Sequence, residues 1–326
     1  LSYNFIELHD CKSFKLTNEI EITIGKVPFY DSWINFKIGE KNILNVNDCV
    51  LEHIDTVHKI KKVLNRKIDA LFTQFSYANY IERQNQKYVA KKQLANLKIQ
   101  DQVLQPSFII PFASFIYFSN IENKFMNENI NTIDEAYNYI LKECRAKPII
   151  LKPNEKWHLE NKSNLLSLKF WRNIYNDKNS LKLSNPDKPK DINELINEGK
   201  TYLNKLKSKN NRFLIYVLSK IGFFSKTIIY IKDLKIFVSF DLLNGLEIIK
   251  KLGIKKFVSL NSNSLSFIFH FDYGLDTTLI NGRLECDKNY LQKFKRVFIL
   301  GSLNNTGRYL SFLNFYKFLN FNFILR

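Results

Sequence analysis

The sequence predicts a mixed α/β protein on three observations: short alternating strands near the start, a regular exchange of strand and helix up to residue 151, and a more basic α+β stretch beyond a polar breaker. With 326 residues the chain is long enough for two domains and a sizeable core. Its 45% apolar and 14% aromatic residues, with 10 Gly and 7 Pro, exclude disordered, collagenous and low-complexity classes.

Polar and apolar residues alternate over 14–24, 33–38 and 42–46, the last two separated by Gly39-Glu40-Lys41, which is a strand meander. Residues 50–64 then change to helical spacing, with Val50, Leu51, Ile54, Val57, Ile60 and Leu64 on one face. A strand is expected at 69–75, a charged helix at 81–97, a strand at 107–112, a helix at 133–143 and a closing strand at 149–151. This order is that of an α/β domain whose strand ends carry the site.

Residues 154–211 weaken into Lys, Asn, Ser and Asp, with Asn185-Pro186-Asp187-Lys188-Pro189 as a breaker and a helix at 192–206. A second unit follows: an apolar helix from Phe213, strands at 226–231 and 235–240, a helix at 241–252, and strands at 256–260 and 265–271. The domains expected are thus 1–153, a connecting region 154–211, and a basic α+β domain 212–326.

The net charge of +18 is uneven. Residues 1–150 carry 19 basic and 17 acidic side chains, and residues 151–326 carry 30 and 14. An excess confined to one half suits an anionic partner such as an acidic sugar, nucleic acid or lipid headgroup, and it equally suits a Lys-rich solvated surface. Basic residues such as Lys256, Lys293, Lys295 and Arg296 lie among aromatics, without a recognisable nucleic-acid-reading motif.

Cys11, Cys49, Cys144 and Cys286 form no C-x-x-C or C-x-H pair, and a reducing cytoplasm is their simplest setting. The stretch 309–325 is apolar and aromatic but interrupted by Asn314, Lys317, Asn320 and Asn322, short of a membrane span. It reads as a packed terminal element rather than a membrane-surface anchor.

The segment most informative about chemistry is Ile43-Leu44-Asn45-Val46-Asn47-Asp48-Cys49, an apolar strand ending in Asn-Asp. A carboxylate there faces the crevice where α/β sheets bind ligands, so Asp48 could ligate a metal or act as a base; it could equally cap the following helix. The next strand ends in Thr73-Gln74-Phe75-Ser76, a later one in Pro111-Phe112-Ala113-Ser114-Phe115, and a polar loop runs through Phe118-Ser119-Asn120-Ile121-Glu122-Asn123.

In order and spacing these segments resemble the C-terminal half of a metallo-β-lactamase-fold protein. The branch is that of the ascorbate-phosphate lactonase-like hydrolases and CMP-N-acetylneuraminate hydroxylases, and it covers roughly residues 15–157. The resemblance implies part of an αββα sandwich with a divalent metal (Zn, Fe or Mn) between its sheets, and a phosphorylated or acidic sugar, or a nucleotide-sugar, as substrate. Asp48 is then the metal ligand, and Gln74, Ser76, Ser114, Glu122, Asn123 and His158 the substrate-binding residues.

The family's His-x-His-x-Asp-His run is absent here, which with the Leu1 start leads to the expectation that half of the sandwich lies upstream. Two further positions depart from the family: Val27-Pro28-Phe29-Tyr30 stands where a histidine is expected, and Phe112-Ala113 where the lactonase-like relatives have another. The hydroxylases also carry a Rieske iron–sulfur centre, whose paired ligand motifs are absent, so oxygenase chemistry is expected only with an iron–sulfur domain upstream. A metal-free relative that binds an anionic sugar, polysaccharide or nucleic acid is the alternative. The weaker tail match, Asp272 to Asp276 and Gly282-Arg283, suggests an ion-paired polar edge.

Overall fold

The computed structural model describes residues 5–27, 31–49, 51–161, 165–177, 183–184, 187–250, 253 and 256–313. The expectations that fall on Pro28, Phe29, Tyr30, Val50, Asn185, Pro186 and residues 314–325 lie outside them. The chain divides into two compact units: residues 1–77, 86–116 and 129–182 form the first, and residues 78–85, 117–128 and 183–326 the second.

The first unit is α/β. Its seven-stranded sheet runs in sequence order, β1 (Ser13–Lys15), β2 (Ile20–Lys26), β3 (Ser32–Ile38), β4 (Lys41–Asn45), β5 (Ala70–Gln74), β6 (Phe108–Phe112) and β7 (Lys147–Pro148). The first four are antiparallel; β4 to β7 are parallel, joined by helices α1 (Ile54–Leu64), α2 (Arg83–Leu104) and α3 (Ile133–Glu143). The expected alternation over 14–24 breaks into β1 and β2, and the β3–β4 hairpin turns at Gly39, whose φ of 55° suits a residue without a Cβ. Gly25 faces Trp33 across the ladder, and a Cβ there would lie 2.2 Å from the indole.

Alternation along the strands gives the sheet two unequal faces. Trp33, Leu44, Leu71 and Ile109 join Val57, Ile60, Leu97, Leu104, Ile133 and Ile140 of the crossover helices in one core. The opposite face carries Ile43, Phe72 and Phe108, half-buried around Ala70, Ile110 and Ile149, with Trp157 and Leu159 packed on it. The α3 helix starts where its capping box dictates: Thr132 accepts from the Glu135 N–H, and Glu135 reaches back to the Thr132 N–H. Ile149 sits just past β7, its N–H bonded to the Ile109 carbonyl at 2.9 Å. Helix α4 (Leu165–Asn176) was not evident from periodicity; Leu168, Trp171 and Tyr175 pin it to the core.

The second unit packs α5 (Ile192–Lys209), α6 (Arg212–Lys220), α7 (Ser262–His270), α8 (Gly274–Ile280) and α9 (Lys288–Asn305) with a four-stranded sheet. Its strands, in the order β10 (Gly245–Ile249), β9 (Ile236–Asp241), β8 (Thr227–Ile231) and β11 (Val258–Leu260), are antiparallel except for parallel β8–β11. Leu195, Tyr202, Leu203 and Leu206 place α5 in this core.

Two elements differ in kind from expectation. Residues 241–252 were expected as a helix, but Asp241 accepts from the N–H groups of Leu243 and Asn244, closing a turn that Gly245 leaves with φ 84° into β10. Residues 265–271 were expected as a strand, but 265–270 lie in α7, with Phe271 as its C-cap and Leu265, Ile268 and Phe269 buried. A short apolar run has no period by which to tell a buried strand from a buried helix.

Candidate functional site

The carboxyl ends of the parallel strands supply the groups. Past β4 the chain makes an Asx turn: Asn47, in the left-handed region at φ 47°, donates its N–H to Asn45 Oδ1 at 2.8 Å, and its Nδ2 donates to Asp48 Oδ1 at 2.6 Å. This leaves Asp48 exposed. It is not the cap of α1, which begins six residues later with His53 at the N-cap position. Because β3 runs antiparallel to β4, the residue preceding β3 comes to the same end of the sheet. That residue is Asp31, half-buried, whose carboxyl is held above its usual range by burial and by the charge of Asp48. Cys49 is buried behind the pair, and burial with the Asp31 and Asp48 charges pushes its thiol up to about 12.

Asp31 was not among the residues singled out from sequence. The antiparallel β3–β4 hairpin, legible from Gly39-Glu40, was the signal that a residue just before β3 meets one just after β4.

The other candidates are distributed as follows. Gln74 closes β5, half-buried, opposite Phe112 in the ladder. Ser76 and Ser114 are buried and bind backbone. The Ser76 hydroxyl accepts from the Asn131 N–H at 2.9 Å; Ser114 donates to the Ser76 carbonyl at 3.1 Å and accepts from the Phe75 N–H at 3.2 Å. His158 is exposed beside Trp157, which packs edge-on against Phe108.

Glu122 and Asn123 belong to the second unit, where each has internal partners. Glu122 pairs with Arg283 at 2.7 Å and accepts from the Ser264 hydroxyl at 3.1 Å, while Asn123 Nδ2 donates to the Asn281 carbonyl at 2.7 Å. Arg283 also meets Asp187 at 3.0 Å, so the polar edge expected with Asp272 and Asp276 is built differently: Asp272 pairs with Lys205, and Asp276 accepts from Ser302.

The second unit also has a cleft of about 350 Å³ lined by Tyr80, Arg83, Phe125, Phe257, Glu285 and Asp287 among others. Arg83 lies 4.5 Å over the Phe125 ring and 2.8 Å from Glu128, and Glu285 is met by Lys232 at 3.3 Å. Its cations thus already have carboxylate partners.

Among the described residues, no group of three or more His, Cys, Asp or Glu is placed to hold a metal ion, and all five histidines are exposed. Among them, too, no helix is long and apolar enough to cross a membrane.

No family model matches the chain, and no curated protein matches it. Solved structures do. The diiron β-hydroxylase CmlA from Streptomyces venezuelae is 10% identical at a TM-score of 0.32, over 45% of this chain and 33% of CmlA. Its E377D mutant aligns with the same TM-score at 11% identity. The metallo-β-lactamase-fold protein YhfI from Bacillus subtilis is 9% identical at a TM-score of 0.32, over 47% of this chain and 55% of YhfI. The chain therefore spans about a third of CmlA's length and about half of YhfI's. At that TM-score the likeness carries none of the functional reading; the chain is α/β by its own sheet and crossover helices, and its solved neighbours include a metallo-β-lactamase fold.

Proposed function

We propose that the chain is a metal-dependent hydrolase-like protein of metallo-β-lactamase type, in which Asp48, with Asp31 beside it, contributes to a divalent-metal site. The observation that supports it is the meeting of two carboxylates at the carboxyl ends of the parallel strands, where open α/β sheets take their ligands. Two hard oxygen donors suit Zn, Fe or Mn, but they are an incomplete set: the Cys49 thiol is held protonated, and no third donor joins them among the described residues. A divalent ion there supplies Lewis-acid polarisation and a lowered pKa for water. The chain's own part is to hold Asp48 out in solvent on the Asn47 turn and to keep Asp31 within its field. Gln74, at the end of the neighbouring strand, is the group proposed to meet a phosphorylated or acidic sugar, or a nucleotide-sugar. The test is metal content by mass spectrometry together with hydrolysis of a sugar-phosphate lactone. Stoichiometric metal and turnover, both lost in Asp48→Ala, support the reading; absence of metal with turnover unchanged by Asp48→Ala sinks it.

A second reading, a metal-free binder of an anionic sugar, polysaccharide or nucleic acid, is favoured by that incomplete donor set and by the basic excess after residue 150. Salt-dependent retention of the full chain on a polyanion column, with no bound metal, would select it.

A further inference from the structure

Helix α6 is apolar on more than one side. Leu214, Ile215 and Leu218 enter the core of the second unit, yet Phe213 and Tyr216 point outward and Ile221 follows in the open; Phe213 is 63% and Ile221 71% exposed. A helix with apolar residues all round is ordinarily covered on all sides.

The chain after α9 extends this face. The Asn211 N–H donates to the Leu310 carbonyl at 2.8 Å, and the Leu310 N–H to Asn210 Oδ1 at 2.7 Å, so residues 309–313 run beside the start of α6. Their exposed members are Tyr309, Phe312 and Leu313, and the Phe312 ring stands 6.4 Å from that of Phe213. The sequence had suggested a packed terminal element here; of its described part, Leu310 is packed and these three face outward.

Charge identifies the occupant. From residue 199 to 232 there are eight Lys or Arg and no Asp or Glu, and from 288 to 326 there are seven and none. The described parts of these two acid-free stretches meet where Asn210 and Asn211 bond Leu310. Arg212 and Lys220 flank the exposed face, Lys220 lying 5.5 Å over the Tyr216 ring, and neither forms an ion pair among the described residues. Arg83 and Arg283, by contrast, are each met by two carboxylates.

We propose that the face formed by α6 and residues 309–313 docks on an anionic lipid surface, Phe213, Ile221, Phe312 and Leu313 entering the headgroup boundary while Arg212 and Lys220 meet lipid phosphates and carboxylates. Aliphatic groups at the tip favour a bilayer over nucleic acid, because Ile and Leu have no ring face on which a base can stack. Aromatic and aliphatic groups interleaved with cations are the composition of an interfacial patch, and long basic side chains reach back to the headgroups.

The test is co-sedimentation of the full chain with phosphatidylcholine vesicles containing 30% phosphatidylserine (~30%, an anionic surface of the kind that attracts basic segments), against pure phosphatidylcholine. Binding is expected to the anionic vesicles and to weaken with salt. Arg212→Glu with Lys220→Glu should lower the partition coefficient at least about tenfold, each basic residue near such a surface being worth roughly fivefold. Phe213→Ser with Phe312→Ser should lower it similarly, with an unchanged circular dichroism spectrum because both side chains are exposed. No binding at low salt, or binding indifferent to both pairs, overturns the proposal. So does binding that the serine pair leaves intact and single-stranded RNA competes away, which would assign the cations to nucleic acid. Loss of a concentration-dependent dimer in the serine pair, with vesicles ignored, would assign the face to a second copy of the chain.

Discussion

The two units differ in how far their carboxylates are matched by cations. In the first, buried polar side chains bind backbone around the strands: Asp101 accepts from the Arg145 and Ala146 N–H groups just before β7, and Asn131 ties the Phe75 carbonyl past β5 to the Ala90 carbonyl of α2. Asp31 and Asp48, which act on each other through their charges, form no ion pair among the described residues. In the second, Phe240 stacks on Phe298 at 5.0 Å and meets Phe269 at 5.2 Å in an aromatic core, and the inner charges are matched as Glu122 with Arg283. The difference separates two tasks. The first unit holds an uncompensated carboxylate pair at a sheet end, and the second matches its inner charges and leaves cations such as Arg212 and Lys220 on the surface.

That comparison breaks most readily in the cores. Phe298→Ala should cost the second unit about 3–5 kcal/mol, and hydrogen exchange read by mass spectrometry should show lost protection in β8, β9 and β10 with β4, β5 and β6 little changed. Equal loss in both would mean one shared core. Asp101→Ala removes the acceptor of two N–H groups, one of them buried, and should destabilise the first unit by about 2–4 kcal/mol in urea unfolding. A cost under about 0.5 kcal/mol, the size of an ordinary surface change, would show that water replaces it. In the second unit the Tyr80 hydroxyl both donates to the Cys286 carbonyl and accepts from its N–H, each at 2.9 Å, so Tyr80→Phe should cost about 1–2 kcal/mol.

The smallest effect is at the candidate site and has the opposite sign. The folded-state pKa of Asp31 is raised, so protonation favours the fold; this contribution is present at low pH and is lost as pH rises through the folded value. Asp31→Asn should therefore stabilise the protein slightly at neutral pH, by well under about 1 kcal/mol given solvent screening. The advantage should vanish below about pH 4. A melting-temperature difference that grows on acidification would be the wrong sign.

Much of the first unit was legible because its strands and helices differ in period: α3 spans the expected 133–143, and β3 to β6 fall within a residue or two of expectation. The second unit was less legible where apolar residues ran together, as in 265–271, and where Asn244-Gly245 marked a hairpin inside a helix-like spacing. At the site, the Asn-Asp strand end was visible in sequence, whereas the backbone partners that hold Ser76 and Ser114 are distant in the chain: Asn131 for Ser76, and Phe75 and Ser76 for Ser114. Asp31 became a candidate only through the strand pairing that brings it to Asp48.

That pairing is tested most directly by following the Asp31 carboxyl carbon by NMR as pH is varied, in the wild-type chain and in Asp48→Asn. If the two carboxylates share one field, Asp31 titrates above the usual carboxylate range in the wild type and moves down in the variant, and a divalent cation added to the wild type moves it down as well. An Asp31 titration that neither Asp48→Asn nor the cation shifts would contradict the shared site.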